Sequence, residues 1–197
     1  MAGIDTAGDA AGQAAVTRAL VRLGLLRGDE APGFTRLAGG VSSDIWRVHL
    51  VSGPVCVKRA LPKLRVEQDW FAPVERNAYE AGWMRFASTV APEAVPKLLG
   101  QDAAAGVLVM AYLDPASHRL WKADLREGHA DPEVARAVGE RLVRIHAASA
   151  NDPDVAAAFA TDRIFYDIRL EPYLVASARA HPDRADALHA LVETTAR

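Results

Sequence analysis

The sequence predicts an α+β fold, an antiparallel sheet with one main helix followed by a helical region, and three observations carry that prediction. Between Phe34 and Ala60, short β-type runs are punctuated by Gly39-Gly40 and Ser52-Gly53. One helical stretch then separates these runs from two more β-type segments. Beyond Asp114 the pattern changes to helices opened by a polar residue and a proline. With half of its 197 residues hydrophobic, the chain can bury a sizeable core.

The elements follow in order. In an N-terminal helical extension over residues 1–30, Val16, Leu20 and Leu23 recur at helical spacing; Gly24 weakens the pattern and Gly28 is expected to end it. Residues 31–113 form the β-rich lobe, with strands expected at Phe34 to Ala38, Ile45 to Val51 and Pro54 to Ala60. A helix from about Pro73 to Ser88 comes next, then strands near Lys97 to Gln101 and Val107 to Tyr112. Residues 114–197 are read as a partial helical lobe, with helix starts at Asp131-Pro132, Asp152-Pro153 and, with a weaker cap, His181-Pro182. Within the first of these helices, Val134, Val138, Leu142 and Ile145 share one face, which is expected to be its core contact.

Composition narrows the function classes. The net charge of -2 comes from interspersed acids and bases, so the chain offers no broad basic surface for nucleic acid or anionic lipid. Its longest apolar stretch, Val107 to Leu113, is far below the ~20 residues a bilayer crossing needs. Asp5 and Asp9 interrupt a start that lacks the basic and apolar runs of a secretion signal. A lone cysteine, Cys56, excludes an internal disulfide and leaves no cluster with zinc-ligand spacing; it suits a reducing compartment, and the cytoplasm is the expected location.

The run Gly39-Gly40-Val41-Ser42-Ser43-Asp44-Ile45-Trp46 places two glycines and two serines between strands. Backbone N–H groups in such a turn can approach phosphate oxygens, because glycine adds no bulk and serine adds a donor. A Gly-Gly hairpin can equally be a turn and nothing more. In Val55-Cys56-Val57-Lys58 the period of two puts Cys56 and Lys58 on one face and the valines on the other. A lysine so aimed can hold the phosphates of a nucleotide if a helix carboxylate orients it. Glu80 is the first candidate and Glu75 the second, although Glu80 can also pair with Arg76 one turn earlier. Val107 to Leu113 ends at the boundary between the two halves, where a strand can present main-chain groups to a ligand.

Taken together, Gly39 to Trp46, Val55 to Lys58, Glu75 to Glu80 and Val109 to Leu113 resemble the small lobe of the aminoglycoside phosphotransferase and methylthioribose kinase group of small-molecule kinases, a protein-kinase-like fold. Leu142 to Ala148 and Arg169 to Leu174 are similar to helices that precede the catalytic loop in these enzymes. The resemblance implies ATP and Mg²⁺ as cofactors and a hydroxyl on a small molecule as phosphate acceptor. It implies that Gly39, Gly40, Ser42 and Ser43 cover the ATP phosphates, that Lys58 contacts them, and that Glu80 pairs with Lys58. Met110 would sit at the back of the adenine pocket, Ala111 C=O and Leu113 N–H would meet the adenine edge with Tyr112 between them, and Cys56 would lie against the base.

The same resemblance calls for an H-G-D-x-x-x-x-N loop and a further metal-binding Asp. None is identifiable, so no catalytic residue and no metal ligand is assigned. His129-Ala130-Asp131 is the one His-x-Asp and is read as a loop plus N-cap, with Arg136 where the asparagine would fall; His146 is read as structural. The chain is therefore expected to be truncated before the catalytic loop and inactive by itself. Three readings stay open: a phosphotransferase in full-length form, a non-catalytic nucleotide-binding or interaction module completed by a protein partner that supplies the missing lobe, or an α+β domain whose glycine turn and lysine have no ligand.

Overall fold

The unbroken buried run Val107 to Met110 belongs to a sheet covered on both faces. In the computed structural model, which describes residues 6–37, 40–67 and 69–196, five strands form one antiparallel sheet. They are β1 (Gly33–Arg36), β2 (Ser43–Leu50), β3 (Gly53–Ala60), β4 (Leu98–Asp102) and β5 (Val107–Ala111), in the order β1-β2-β3-β5-β4. Each begins and ends within about two residues of its expected position. The fold class is thus the α+β arrangement read from the sequence.

One face carries Trp46, Val48, Val55, Val57, Val107 and Val109, all buried. Against them packs α1 (Thr6–Arg22) through Val16, Ala19 and Leu20. The rings of Phe34 and Trp46 meet edge to face at 6.2 Å between centroids. Gly24, not Gly28, stops this helix. Its φ of 69° is a left-handed conformation that suits glycine, its N–H donates to Val21 O, and Leu25 N–H donates to Leu20 O. These two bonds satisfy carbonyls that the helix end would otherwise leave open.

The opposite face carries Cys56, Leu108 and Met110, over which α2 (Arg76–Val90) lays Ala81 and Met84. This helix starts three residues later than expected, because the carbonyls of Ala72 and Pro73 are taken by the Arg76 side chain. Asn77, buried in its first turn, donates Nδ2–H to Gly106 O at 2.6 Å and so fastens α2 to the turn before β5.

The second half is helical as expected. It contains α3 (Trp121–Arg126), α4 (Pro132–Ser149), α5 (Pro153–Ala158), α6 (Asp162–Phe165), α7 (Ala176–Ala180) and α8 (Ala185–Thr195). Between α6 and α7, residues Tyr166–Val175 wind as a π-helix around Pro172, whose missing N–H and ring bulk disfavour ordinary α-helical bonding there. Asp131 and Asp152 cap α4 and α5 through bonds from Glu133 N and from Asp154 N and Val155 N. His181 makes no cap hydrogen bond, and a 3₁₀ turn at Pro182–Arg184 intervenes before α8.

One expectation fails. Of the α4 face only Ile145 is buried, 4% exposed against Ala87 and Ala91 of the α2 end, whereas Val134, Val138 and Leu142 are 38%, 36% and 42% exposed. The physical reason is that the apolar pattern describes the helix and not its neighbours: α4 meets α2 only near its C-terminal end, where Arg144 donates to Val90 O and Glu93. Ile145→Ala should therefore lower stability by about 2–4 kcal/mol, while Leu142→Gln should change it by less than about 0.5 kcal/mol. Urea unfolding midpoints of the two variants measure the contrast.

Candidate functional site

The polar side chains on the α2 face follow from strand parity. Lys58, two residues beyond Cys56, points to that face, and Glu80 on α2 meets it: Lys58 Nζ donates to Glu80 Oε2 at 2.5 Å, with the two side chains 24% and 34% exposed. Arg76, the other possible partner of Glu80, is turned elsewhere. Its guanidinium donates to the carbonyls of Ser42, Leu61, Ala72 and Pro73. Burial pushes the Arg76 guanidinium below its ordinary pKa, an effect opposed by the charges of Glu80 and Glu75.

The glycine turn is tied to the same helix, through Arg76 one turn before Glu80. Gly39 lies outside the described residues. Gly40 has φ of 111°, a backbone conformation that side chains resist. The carbonyls that follow are pinned from outside the turn: Val41 O accepts from Arg65 N at 2.7 Å, and Ser42 O accepts from Leu61 N at 3.0 Å and from Arg76. Ser42 is half-buried and Ser43 is buried at the start of β2, which leaves Ser42 as the more accessible hydroxyl.

Beside Lys58, Cys56 is half-buried and packs with Met110, its Cα partner in β5. Ala111 N–H is engaged by Lys97 O at 2.8 Å, and Leu113 is exposed. Tyr112 receives the guanidinium of Arg47, whose central carbon stands 4.6 Å from the ring centroid. The structure thus brings Lys58, Glu80, Cys56 and Met110 together on one face, with Gly40 and Ser42 at one end of the flanking strand and Tyr112 beyond the end of β5. Asp131 serves as the α4 cap, and His129 is exposed. His146, read as structural, is exposed on the last turn of α4, where Ile145 is the buried residue.

Three features were missed in the sequence. Arg47 is one, and the backbone-directed Arg76 is another. The third is Asp44, only 1% exposed on the α1 face, where Arg36 and Arg59 donate to it at 2.7 and 3.1 Å and Arg65 adds a further bond; Arg36 also meets Asp9 of α1. Its signal was readable, since parity with Trp46 and Val48 forces a carboxylate inward, and a buried carboxylate requires cations.

An α+β chain whose two-faced sheet carries a lysine–glutamate ion pair and a glycine turn is what the geometry defines. No protein-family model matches it. In sequence it is similar to methylthioribose kinases of Yersinia pseudotuberculosis (serotype O:1b, strain IP 31758) and Yersinia pestis (strain Pestoides F), 33% identical over 91 residues in each case. That match covers 46% of this chain and 22% of those relatives, so the matched segment spans about a fifth of their length. A solved structure titled a putative fructosamine-3-kinase from Thermobifida fusca aligns over 66% of this chain and 39% of that one, with a TM-score of 0.41 and 23% identity.

Burial raises the Cys56 thiol above its ordinary pKa; the Lys58 charge opposes this and the Glu80 charge adds to it. A raised pKa leaves less thiolate at a given pH, so alkylation should be slower than for a free thiol and its pH profile displaced upward. Lys58→Met should displace the profile further up and Glu80→Gln should bring it back down. Iodoacetamide rates between pH 7 and 10 read out both signs.

Proposed function

We propose that this chain carries the nucleotide-binding half of a small-molecule phosphotransferase, which moves the γ-phosphate of ATP to a hydroxyl of its acceptor. The observation that supports this best is the Lys58–Glu80 pair at 2.5 Å, on the sheet whose preceding glycine turn has its carbonyls held by Arg65, Leu61 and Arg76. In this reading Lys58 holds the α- and β-phosphates, and Glu80 fixes the direction of the amine. The backbone from Gly39 to Ser43 approaches the phosphate oxygens. Met110 backs the base, Cys56 lies against it, and Ala111 C=O and Leu113 N–H meet its edge on either side of Tyr112.

Mg²⁺ belongs to the proposed reaction but has no assigned home. Among the described residues no group of three or more His, Cys, Asp or Glu is placed to hold a metal, so no step is routed through one. With no proton acceptor for the substrate hydroxyl assigned, the chain by itself is expected to turn over negligibly. The acceptor is a small molecule, and no helix among the described residues is long and apolar enough to cross a membrane. A reducing, cytoplasmic setting accords with the lone thiol.

The exposed stripe of Val134, Val138 and Leu142 favours a second reading, in which the chain is a nucleotide-binding or interaction module completed by a protein partner. Both readings require nucleotide binding. At 100 times its Kd, Mg²⁺-ATP should raise stability by about 2.7 kcal/mol, which corresponds to a rise in Tm of about 5–10 °C for a chain of this size. Lys58→Ala should abolish the rise, Glu80→Gln should reduce it, and ATP should slow alkylation of Cys56. A folded protein whose Tm does not move with ATP would overturn the proposal.

A further inference from the structure

On the α2 face of the sheet, α2 makes its main contacts with β3, β4 and β5. Arg47 stands half-buried on the neighbouring strand β2, with its Cα opposite Cys56. Its guanidinium lies over the Tyr112 ring, while its Nε is buried and has no hydrogen-bond partner. Among the described residues no carboxylate pairs with it. A half-buried cation with an unfilled donor is costly to keep unless something answers it. The Tyr112 face answers the charge in part, and a ligand that offers a second π face would answer more of it.

Register says which part of a ligand that would be. Ile45 is the Cα partner of Lys58, and Arg47 is two residues further along β2, about 7 Å at the usual rise per residue. It is therefore too far along to grip the phosphates that Lys58 would hold, and level with the position of the base. We infer that Arg47 is a nucleobase-contacting residue: its guanidinium forms the outer wall of the base slot with Tyr112 and stacks its planar face on the purine. This rests on the nucleotide reading proposed above and adds a residue and a mode of base recognition to it.

The test separates base from phosphate by titrating the full chain calorimetrically with ATP and with inorganic tripolyphosphate. Lys58→Ala should weaken both. Arg47→Ala should weaken ATP about 3- to 30-fold, the range of a desolvated cation–π contact, and leave tripolyphosphate within about twofold. Arg47→Lys, which keeps the charge and the aliphatic stem and so guards against a folding defect, should fail to restore ATP affinity because it lacks the planar group. Equal weakening of both ligands, or restoration by lysine, would overturn the inference in favour of simple charge attraction. Unchanged ATP affinity in both Arg47 variants would overturn it while leaving the nucleotide reading intact. Absence of ATP binding by the unaltered chain would overturn both.

Discussion

The register of β3 is the constraint on which everything else depends. This strand lies between β2 and β5 and is covered by α1 on one face and α2 on the other. A slip of one residue would carry the Lys58 amine into the apolar contact of Val16, Leu20 and Trp46, and would turn Val57 toward Glu80. Burying an unpaired ammonium costs far more than any alternative pairing could return. The neighbouring strands inherit the same parity, which sends Trp46 and Val48 to α1, and sends Arg47, Leu108 and Met110 to the other side. The candidate site is thus a consequence of the alternation that builds the core.

Parity also creates a difficulty, because it sends Asp44 inward beside Trp46. Three arginines resolve it, and in doing so they join separate parts of the chain: Arg36 comes from β1 and reaches Asp9 of α1, Arg59 from β3, and Arg65 from the segment after it. Arg65 then uses its backbone N–H to hold Val41 O, so the carboxylate cluster and the glycine turn share a residue. From the other direction Arg76 spends its donors on Ser42 and Leu61 carbonyls. The turn is therefore shaped by its surroundings, held by Arg65, which also reaches Asp44, and by Arg76 of α2. A buried ionic cluster is weak support for net stability, since desolvation offsets much of the attraction; its contribution here is to fix which segments meet.

Most of the sheet half was legible in the sequence. Strand parity is a local property, so five strands and the facing of Cys56 and Lys58 could be read without knowing the fold, whereas the pairing of Glu80 with Lys58 rather than with Arg76 came only from the resemblance. Arg47, Asn77 and the four carbonyl bonds of Arg76 could not, because each depends on a partner distant in sequence that carries no pattern of its own. Nothing local to Tyr112 says that a guanidinium from β2 will lie on its ring. The Gly24 stop was weighed and then passed over in favour of Gly28, although helix ends with a left-handed glycine are set by the first glycine that satisfies the carbonyls behind it.

The helical half shows the converse. Its starts were legible because Asp131 and Asp152 satisfy N–H groups within their own first turns, an effect that needs no neighbour. Its burial was misjudged because an apolar stripe states what a helix can bury and not what lies across from it. Exposed pairs such as Arg136 with Glu133 and Glu140 support α4 by only a few tenths of a kcal/mol each. Buried aliphatics there are few, Leu170, Val175 and Val192 forming one cluster and Ile145 joining α2. The sheet half, by contrast, buries ten residues in one continuous cluster under α1. Local opening follows buried contacts, so the helices open at lower free energy than the sheet. The Lys58–Glu80 pair sits on the more rigid part, joined across to α2, and α2 is also the element through which Ile145 ties in α4. Any ligand that tightens the pair therefore acts on the one helix that both halves share.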